Sequence, residues 1–142
     1  MVIGMDFYPT FLELAGLKPL PEEHKDGISL APLLTGEGKA LERNTLFWHY
    51  PHYHRTKPFG AIREGDWKLI EFIEDGEMEL FDLKSDPAEG KNLAKEKPEK
   101  AADLLTKLKA WRVSVNAQMM TPNPNYEPTG QSAPRKKNRP KK

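Results

Sequence analysis

The amino-acid sequence predicts an α+β fold, in which a small antiparallel sheet of three to four strands is packed by a C-terminal helix. Three observations support this prediction. Residues 46–83 alternate β-rich segments with short breaks that contain Gly beside Asp or Glu. Residues 98–119 carry apolar side chains at helical spacing, and residues 6–16 form a separate, more apolar helix. The 142 residues are 37% hydrophobic and 30% charged, which allows one modest core.

The first helix is predicted to begin after Asp6, which can cap it, and to end before Gly16. Pro9 suits its first turn. Its apolar side chains cover two neighbouring faces, formed by Phe7, Phe11 and Leu14 and by Tyr8, Leu12 and Ala15. A helix of this kind needs apolar cover on more than one side. The rest of so short a chain hardly supplies that cover, which indicates that a larger partner region belongs there.

Residues 17–44 are predicted to form a linker rich in Pro and Gly, with one short helical turn, "SLAPLL", capped by Ser29. The segments "TLFWHY", "GAIR", "WKLIEFI" and "MELFDL" then predict the strands of the sheet, and "EGD" and "EDGE" predict hairpin turns. Strict alternation cannot place Trp67, Leu69 and Phe72 on one face. Either a bulge intervenes or both faces of this strand are partly covered.

Pro98 is predicted to open the last helix. The apolar stripe of this helix consists of Leu104, Leu105, Leu108, Trp111, Val115 and Met119. The opposite side is predicted to be charged and exposed, with Lys107, Lys109 and Arg112. Beyond "TPNPNYEP" the chain is polar and basic and is predicted to be disordered.

The charge of the chain is divided unevenly along its length. All 21 acidic residues lie at or before Glu127, so residues 1–127 carry 16 basic against 21 acidic side chains, a net charge of −5. An acidic body argues against a nucleic-acid-binding surface. The absence of cysteine excludes disulfides, thiolate metal sites and a cysteine nucleophile. No apolar run reaches the roughly 20 residues of a membrane helix.

Three of the four histidines, His49, His52 and His54, lie close together in "LFWHYPHYHR". In an extended chain, His52 and His54 would share one face and His49 the other, with Pro51 interrupting the register. No acidic residue lies within positions 46–62 to orient a metal ligand, so a self-contained zinc site is disfavoured. Two interpretations stay open: a loop of packed aromatic and histidine side chains, and a binding rim at which His or Arg contacts an anion.

The remaining candidate groups form no complete active site. Arg63 and Lys68 flank the first hairpin, where they can face solvent or bind an anion. Most of the acidic side chains of the last strand are interpreted as solvent-facing, namely those of Glu77, Glu79 and Asp82. The candidate serine nucleophiles lie in cap, turn and helix contexts rather than at a nucleophile elbow: Ser29, Ser85 and Ser114.

Six segments, taken in order, resemble the C-terminal part of sulfatases of the arylsulfatase and iduronate-sulfatase type: "MDFYPTFLELAGL", "DGISLAPLL", "LFWHYPHY", "GAIREGDWKLI", "ELFDLKSDPAEGKNLA" and "LLTKLKAW". The resemblance implies a large alkaline-phosphatase-like α/β domain ahead of a smaller domain, an antiparallel sheet with one helix. The chain then divides into residues 1–43, the end of the large domain and a linker; residues 44–120, the C-terminal sulfatase subdomain; and residues 121–142, the basic tail. The first helix would belong to the end of the large domain, which accounts for its apolarity.

The resemblance also implies the chemistry of the complete enzyme, which is sulfuric ester hydrolysis. In that family a Cys or Ser in a Cys/Ser-x-Pro/Ala-x-Arg motif becomes formylglycine, and a calcium ion held by Asp and Asn polarises the sulfate. Those positions lie upstream in the family and have no counterpart here. We therefore expect no cofactor in this chain itself, and a chain that is inactive alone but supports the fold and lines part of the substrate pocket.

The expected partners are an N-terminal sulfatase domain and, for the complete enzyme, a sulfated sugar or small sulfate ester, with neither nucleic acid nor membrane. Family members are often periplasmic, secreted or lysosomal, but the sequence has no visible signal peptide and leaves the compartment undetermined. The alternative is a stand-alone carbohydrate- or anion-binding module, and a third possibility is a truncated product without a function of its own.

Particular residues carry these implications. "HYPHY" resembles a loop that helps to wall the substrate pocket, which implies His49, His52 and Arg55 as substrate-binding residues. "GAIREGDWKL" resembles the first hairpin of the subdomain, so Arg63 and Lys68 are expected to have structural roles first. The residues expected to hold backbone turns are Asp82, Asp86 and Asn92.

Overall fold

A computed structural model describes residues 1–36 and 40–125. A 3-10 helix, Gly4–Asp6, runs directly into the first α-helix. The elements that follow are α1 (Phe7–Leu14), α2 (Ala31–Leu34), β1 (Thr45–Tyr50), β2 (Phe59–Glu64), β3 (Trp67–Phe72), β4 (Met78–Asp82) and α3 (Pro98–Ser114). The predicted α+β class is confirmed, with four strands. Most of the tail predicted to be disordered lies outside the described residues.

The four strands form one antiparallel sheet in the order β1-β2-β3-β4. Gly65 at φ +58° and Gly76 at φ +70° supply the left-handed backbone that the two predicted hairpin turns need. The register places Phe47, Ile62, Leu69 and Leu80 side by side across one face. Helix α3 covers that face, and the core consists of Ile62, Leu69, Leu80, Ala101, Leu104 and Leu108.

The register of β3 shows how Trp67, Leu69 and Phe72 can all be covered in one strand. Pairing with β2 and β4 is continuous, so the strand has no bulge. Trp67 and Leu69 face α3, while Phe72 faces the other side of the sheet, where the Lys57 ammonium lies 5.4 Å from its ring centroid. Both faces are therefore partly covered. Glu71 shares the inner face with Leu69 and is buried there.

The last helix begins at Pro98 as predicted but ends earlier than the apolar stripe suggests. The chain leaves the helix after Ser114, and Asn116 adopts a left-handed backbone at φ +49°. Val115 and Met119 are each 49% exposed, so their assignment to the apolar stripe was wrong. The solvent-facing position predicted for Arg112 was also wrong, since this residue is only 7% exposed.

A buried carboxylate joins the N-terminal segment to the start of the sheet. Asp6 is 0% exposed and accepts hydrogen bonds from Ile3 N at 2.8 Å and Ile28 N at 3.0 Å. The Arg43 guanidinium donates to both of its oxygens, at 2.9 and 2.7 Å. Asp6 precedes α1 as predicted, but its side chain does not cap the helix. It instead fixes three separate backbone segments around one charge pair.

Helix α1 ends as predicted, with Gly16 at φ +69°. Asp6 anchors the start of this helix through hydrogen bonds, but the apolar side chains of the helix lie in solvent. Phe7, Phe11 and Leu14 are 55%, 64% and 53% exposed. Phe7 and Phe11 stack on each other with their centroids 6.0 Å apart. Within residues 1–36 and 40–125, nothing covers this face. We call these three side chains the α1 apolar face.

Substitution of apolar residues of α3 by alanine should lower the free energy of unfolding at buried positions and leave it unchanged at exposed ones. Leu104 is 0% exposed and Val113 is 81% exposed on the same helix. We expect Leu104→Ala to lower the free energy of unfolding by about 2–5 kcal/mol, because it leaves a cavity between helix and sheet. Val113→Ala should stay within about 0.5 kcal/mol. Urea titration monitored by tryptophan fluorescence measures both, and equal effects would contradict the packing described here.

The stability contributed by Asp6 should depend on pH. Burial alone would raise its pKa, but hydrogen bonds from Arg43, Ile28 and Ile3 outweigh burial and place the pKa below the usual 3.8. The carboxylate therefore stabilises the fold at pH values above 3.8, and this contribution is lost as the pH falls through the lower folded pKa. We expect Asp6→Asn to cost about 3–5 kcal/mol at pH 7, because it leaves a buried Arg43 charge unpaired.

The difference between wild type and Asp6→Asn should shrink as the pH is lowered below 3.8. Thermal unfolding across a pH series measures it. Glu22→Gln is the matched control, since Glu22 is 90% exposed in a loose pair with Lys25. Its curve should parallel that of the wild type. A constant Asp6→Asn deficit at every pH would contradict the role assigned to the carboxylate.

Candidate functional site

The histidine-rich segment begins near the end of strand β1, which ends at Tyr50. Alternation places His49 on the face covered by α3, in one row with Gly60 and Glu71. Tyr50 points to the opposite face, where its ring lies 5.7 Å from that of Phe59. The strand therefore separates the first histidine from the aromatic residue beside it.

His49 is held by the segment that follows α3. Its Nε2 lies 2.7 Å from the carbonyl oxygen of Gln118. Because a carbonyl only accepts hydrogen bonds, Nε2 carries the proton in neutral His49, and Nδ1 is left as an acceptor. Nδ1 is buried and has no hydrogen-bond partner in the described part of the chain. His49 thus connects the end of the sheet to the chain beyond the last helix.

Residues 51–58 form a loop that projects beyond β1 and β2. His52 packs edge-on against the Tyr50 ring with their centroids 5.6 Å apart, and it remains exposed. Arg55 is also exposed and has a left-handed backbone at φ +64°. For a residue other than glycine this conformation costs about 1–2 kcal/mol, so the surrounding contacts must hold it.

Those contacts come from the turn between β3 and β4. The Tyr53 hydroxyl donates to Glu74, and the Lys57 ammonium donates to Asp75 at 2.5 Å and to Glu77 at 3.3 Å. The hydrogen bonds to Asp75 and Glu77 raise the pKa of Lys57, and the bond from Lys57 lowers the pKa of Asp75. The neighbouring acids are therefore engaged, and the loop can present His52 and Arg55 to an anion.

The predicted site residues lie on two sides of β1. His52 and Arg55 are three positions apart on the exposed loop, whereas His49 lies at the base of this loop and faces α3. Two surface clefts, of about 530 and 330 Å³, lie elsewhere, and neither is lined by any of the three residues. The first cleft lies beside Trp67 and the start of α3, and the second lies beside Arg43.

The described residues do not fit the cofactors of the family that the sequence resembles. Calcium needs six to eight oxygen ligands, and residues 1–36 and 40–125 contain no group of three or more His, Cys, Asp or Glu side chains that could hold a metal ion. The chain has no cysteine. The hydroxyls of Ser29, Ser85 and Ser114 all make local hydrogen bonds. The described residues therefore provide no calcium site, and none of these three serines lies in a Cys/Ser-x-Pro/Ala-x-Arg motif.

Other charged candidates have structural partners. Arg63 Nε donates to Gly65 O at 3.2 Å, and the Lys68 ammonium donates to Glu89 at 2.7 Å. The expected turn roles are confirmed by backbone hydrogen bonds to the side chains of Asp82, Asp86 and Asn92. Hydrogen bonds from the backbone amides of Lys91, Gly90 and Ala88 lower the pKa of Asp86.

None of the helices in the described part of the chain is long and apolar enough to span a membrane.

Sequence reasoning missed one charged pair. Arg112 Nη1 lies 2.5 Å from Glu71 Oε2 between the sheet and α3, with side chains only 8% and 11% exposed. A signal for it was present. Glu71 alternates with Leu69 in β3, and Arg112 follows Leu108 by one helical turn, so both occupy core-facing positions. Opposite charges at two inward positions could have indicated a buried pair.

Comparison with known protein families gives one match over most of the chain. Residues 1–117 match the family described as N-sulphoglucosamine sulphohydrolase, C-terminal. Two curated proteins are also similar. A sulfatase of Formosa agariphila is 38% identical over 128 residues, covering 80% of this chain and 23% of that protein. The N-acetylglucosamine-6-O-sulfatase of Bacteroides thetaiotaomicron is 41% identical over 97 residues, covering 64% and 17%.

Solved structures give the same result. A 2-O GAG sulfatase superimposes with a TM-score of 0.67 and 31% identity, covering 79% of this chain and 25% of that one. A protein solved in complex with its substrate D-glucosamine-2-N,6-O-disulfate gives a TM-score of 0.61 and 35% identity, covering 78% and 24%. The chain spans between 17% and 25% of the length of the curated relatives it matches.

The anchor of the 51–58 loop can be tested by removing Lys57. We expect Lys57→Ala to raise amide hydrogen exchange several-fold in residues 52–58 and 74–77, because it releases Asp75 and Glu77 from the loop. Exchange in β2 and β3 should not change. Lys91→Ala removes an exposed ion pair with Glu96 at another place and is the matched control. Unchanged exchange around the loop in Lys57→Ala would contradict the anchoring role.

Proposed function

The chain belongs to the sulfatase family, within its C-terminal region, and from this premise we propose that it completes the substrate pocket of a sulfuric ester hydrolase without supplying the catalytic groups. In this proposal residues 1–43 end the large domain, residues 44–120 form the C-terminal subdomain, and residues 121–142 are a tail. The partner is a larger N-terminal sulfatase domain.

The α1 apolar face is the observation that carries the proposal. Three large side chains are more than half exposed on a helix whose first residue is preceded by Asp6, which is anchored by Arg43. Exposed apolar clusters of this kind mark surfaces that a partner covers. The curated relatives contain roughly four to six times the matched length, so they have enough additional chain to supply such a cover.

The proposed contribution to substrate binding comes from the loop beyond β1. Arg55 offers a planar, permanently charged fork that suits a sulfate or carboxylate group. His52 can donate a further hydrogen bond, and its packing on Tyr50 restricts its ring. His49 lies at the base of this loop on the face covered by α3, and its proposed role is to fix the end of β1 through its bond to Gln118. In this assignment the loop recognises and orients the substrate, and proton transfer and bond cleavage take place on groups outside this chain.

A sulfated sugar is the proposed substrate class. One structural relative was solved in complex with its substrate, a disulfated glucosamine, and one curated relative is an N-acetylglucosamine-6-O-sulfatase. Tyr50 and Tyr53 lie beside His52 and Arg55, and aromatic side chains next to charged donors suit a ligand with both apolar ring faces and anionic groups. A small alkyl sulfate is the other candidate substrate, because the choline-sulfatase of Rhizobium meliloti is 40% identical over 112 residues.

The second candidate function is a stand-alone carbohydrate- or anion-binding module. The exposed positions of His52 and Arg55 favour it, because they require no second domain to be reached. The two functions differ in what the isolated chain can do. A module binds its ligand alone, whereas a portion of a pocket wall binds weakly until the rest of the pocket is present.

The experiment uses the purified 142-residue chain in two assays. We expect no turnover of a chromogenic aryl sulfate, because the chain does not contain the expected catalytic groups. We also expect no saturable binding of D-glucosamine-2-N,6-O-disulfate below millimolar concentrations by isothermal titration calorimetry. Turnover that persists after repeated purification would overturn the assignment of catalysis to another domain.

The binding assay decides between the two candidates. Tight, saturable binding that is lost in His52→Ala and Arg55→Ala would establish the module and contradict the pocket-wall proposal. Lys95→Ala is the matched control, since it removes one exposed positive charge from a different surface. Equal loss of binding in all three variants would indicate attraction by net charge and would contradict a specific site on the loop.

A further inference from the structure

Gly60 forms a slot for the side chain of Arg112. A Cβ atom placed on Gly60 would lie 2.1 Å from Arg112 Nη2 and 3.0 Å from Cζ. The guanidinium therefore lies directly on the backbone of β2, in a space that any larger residue would occupy. This close approach brings the charge of the last turn of α3 into the layer between helix and sheet, where Glu71 pairs with it.

The pair satisfies only one end of the guanidinium. Nη1 donates to Glu71, but Nε and Nη2 are buried and have no hydrogen-bond partner among residues 1–36 and 40–125. These two nitrogens form one edge of the guanidinium plane, and their N–H groups can bind a single acceptor together. Buried polar groups are almost always paired, so this edge indicates an acceptor that lies outside the described part of the chain.

His49 supplies a complementary atom in the same row of the sheet. It pairs with Gly60 in the β1–β2 register, and Gly60 pairs with Glu71 in the β2–β3 register. Neighbouring strands are about 5 Å apart, so His49 lies one strand spacing from the Gly60 backbone on which the Arg112 guanidinium lies, and on the same face of the sheet. In neutral His49 the Nδ1 atom is an acceptor without a partner in the described part of the chain, because Nε2 then donates to the carbonyl oxygen of Gln118.

A ligand at this position must accept from the Arg112 edge and donate to His49 Nδ1. Water does both, and a buried water commonly makes about three hydrogen bonds to otherwise unpaired groups. A sulfate or other fully ionised oxyanion accepts but cannot donate. Glu71 already balances the charge of Arg112, so an added anion would leave a net negative charge in a buried layer.

We propose that one resident water molecule lies above Gly60 and bridges the Nε–Nη2 edge of Arg112 to Nδ1 of His49. The bridge joins the end of α3 to the end of β1, directly before the 51–58 loop. Arg112 is then a positioning residue that holds the Nδ1 edge of the His49 ring through the water, while Gln118 sets its tautomer. Its effect on the pocket wall rests on the proposed function, but the water site does not.

Nuclear magnetic resonance of the 15N,13C-labelled chain tests the site directly. We expect the Arg112 Hε resonance to be slowly exchanging and to show a rotating-frame Overhauser contact to a long-lived water. The nitrogen shifts of His49 should report a protonated Nε2 and an accepting Nδ1. Arg63 is the internal control, since its Nε donates to Gly65 O and should show no such water contact. A scalar coupling from Arg112 Nε to a protein carbonyl would overturn the proposal.

Two variants probe the bridge from its two ends. His49→Phe removes the Nδ1 acceptor, so the Arg112 Hε water contact should disappear while the amide spectrum of β3 and β4 is retained. Gly60→Ala should displace the guanidinium and broaden the same resonance. Persistence of the water contact in His49→Phe would contradict the bridge. Titration of the wild type with sodium sulfate should leave Arg112 unchanged, and a saturable shift would assign the position to an anion instead. None of these outcomes depends on glycan binding by the loop.

Discussion

The packing of α3 across one face of the sheet determines where every candidate side chain can lie. Leu104 and Leu108 pack on the row that runs through Ile62, Leu69 and Leu80, and this contact excludes any slip of the strands by one residue. Once the register is fixed, His49 must face the helix and Tyr50 must face away. The same register places Glu71 opposite Gly60, so a glycine in β2 becomes the point at which Arg112 can enter the core. The loop that carries His52 and Arg55 projects from this rigid base.

The N-terminal segment follows a different rule. Its polar groups are satisfied internally through Asp6, whereas its apolar groups are left exposed. In a self-contained domain the apolar side chains are buried, because burial of apolar surface supplies most of the stability. This division agrees with the proposed docking of the segment on the large domain of a sulfatase. The family assignment and the greater length of the relatives agree with this interpretation.

The sequence predicted most of the fold because its signals are local. Alternation and the glycines at the turns indicated all four strands, and Pro98 and the leucine repeat indicated the last helix. The errors arose where a long-range contact decides the outcome. Arg112 was assigned to solvent because its charge was considered without Glu71, which is 41 positions away. The partner of His49 is a backbone carbonyl 69 positions away, and no residue type signals it. The substrate-binding roles of His49, His52 and Arg55 came from family resemblance and remain a proposal.

The central claim is that the α1 apolar face is covered by the large domain of a sulfatase. A chimera tests it most directly: this chain replaces the matched C-terminal region of the N-acetylglucosamine-6-O-sulfatase of Bacteroides thetaiotaomicron. The measurement is sulfate release by the purified chimera and by its Phe11→Asp variant, with Val113→Asp on the exposed side of α3 as control. We expect a soluble, active chimera that loses activity with Phe11→Asp and keeps it with Val113→Asp. Equal activity of the Phe11→Asp variant and the unmodified chimera would contradict the claim.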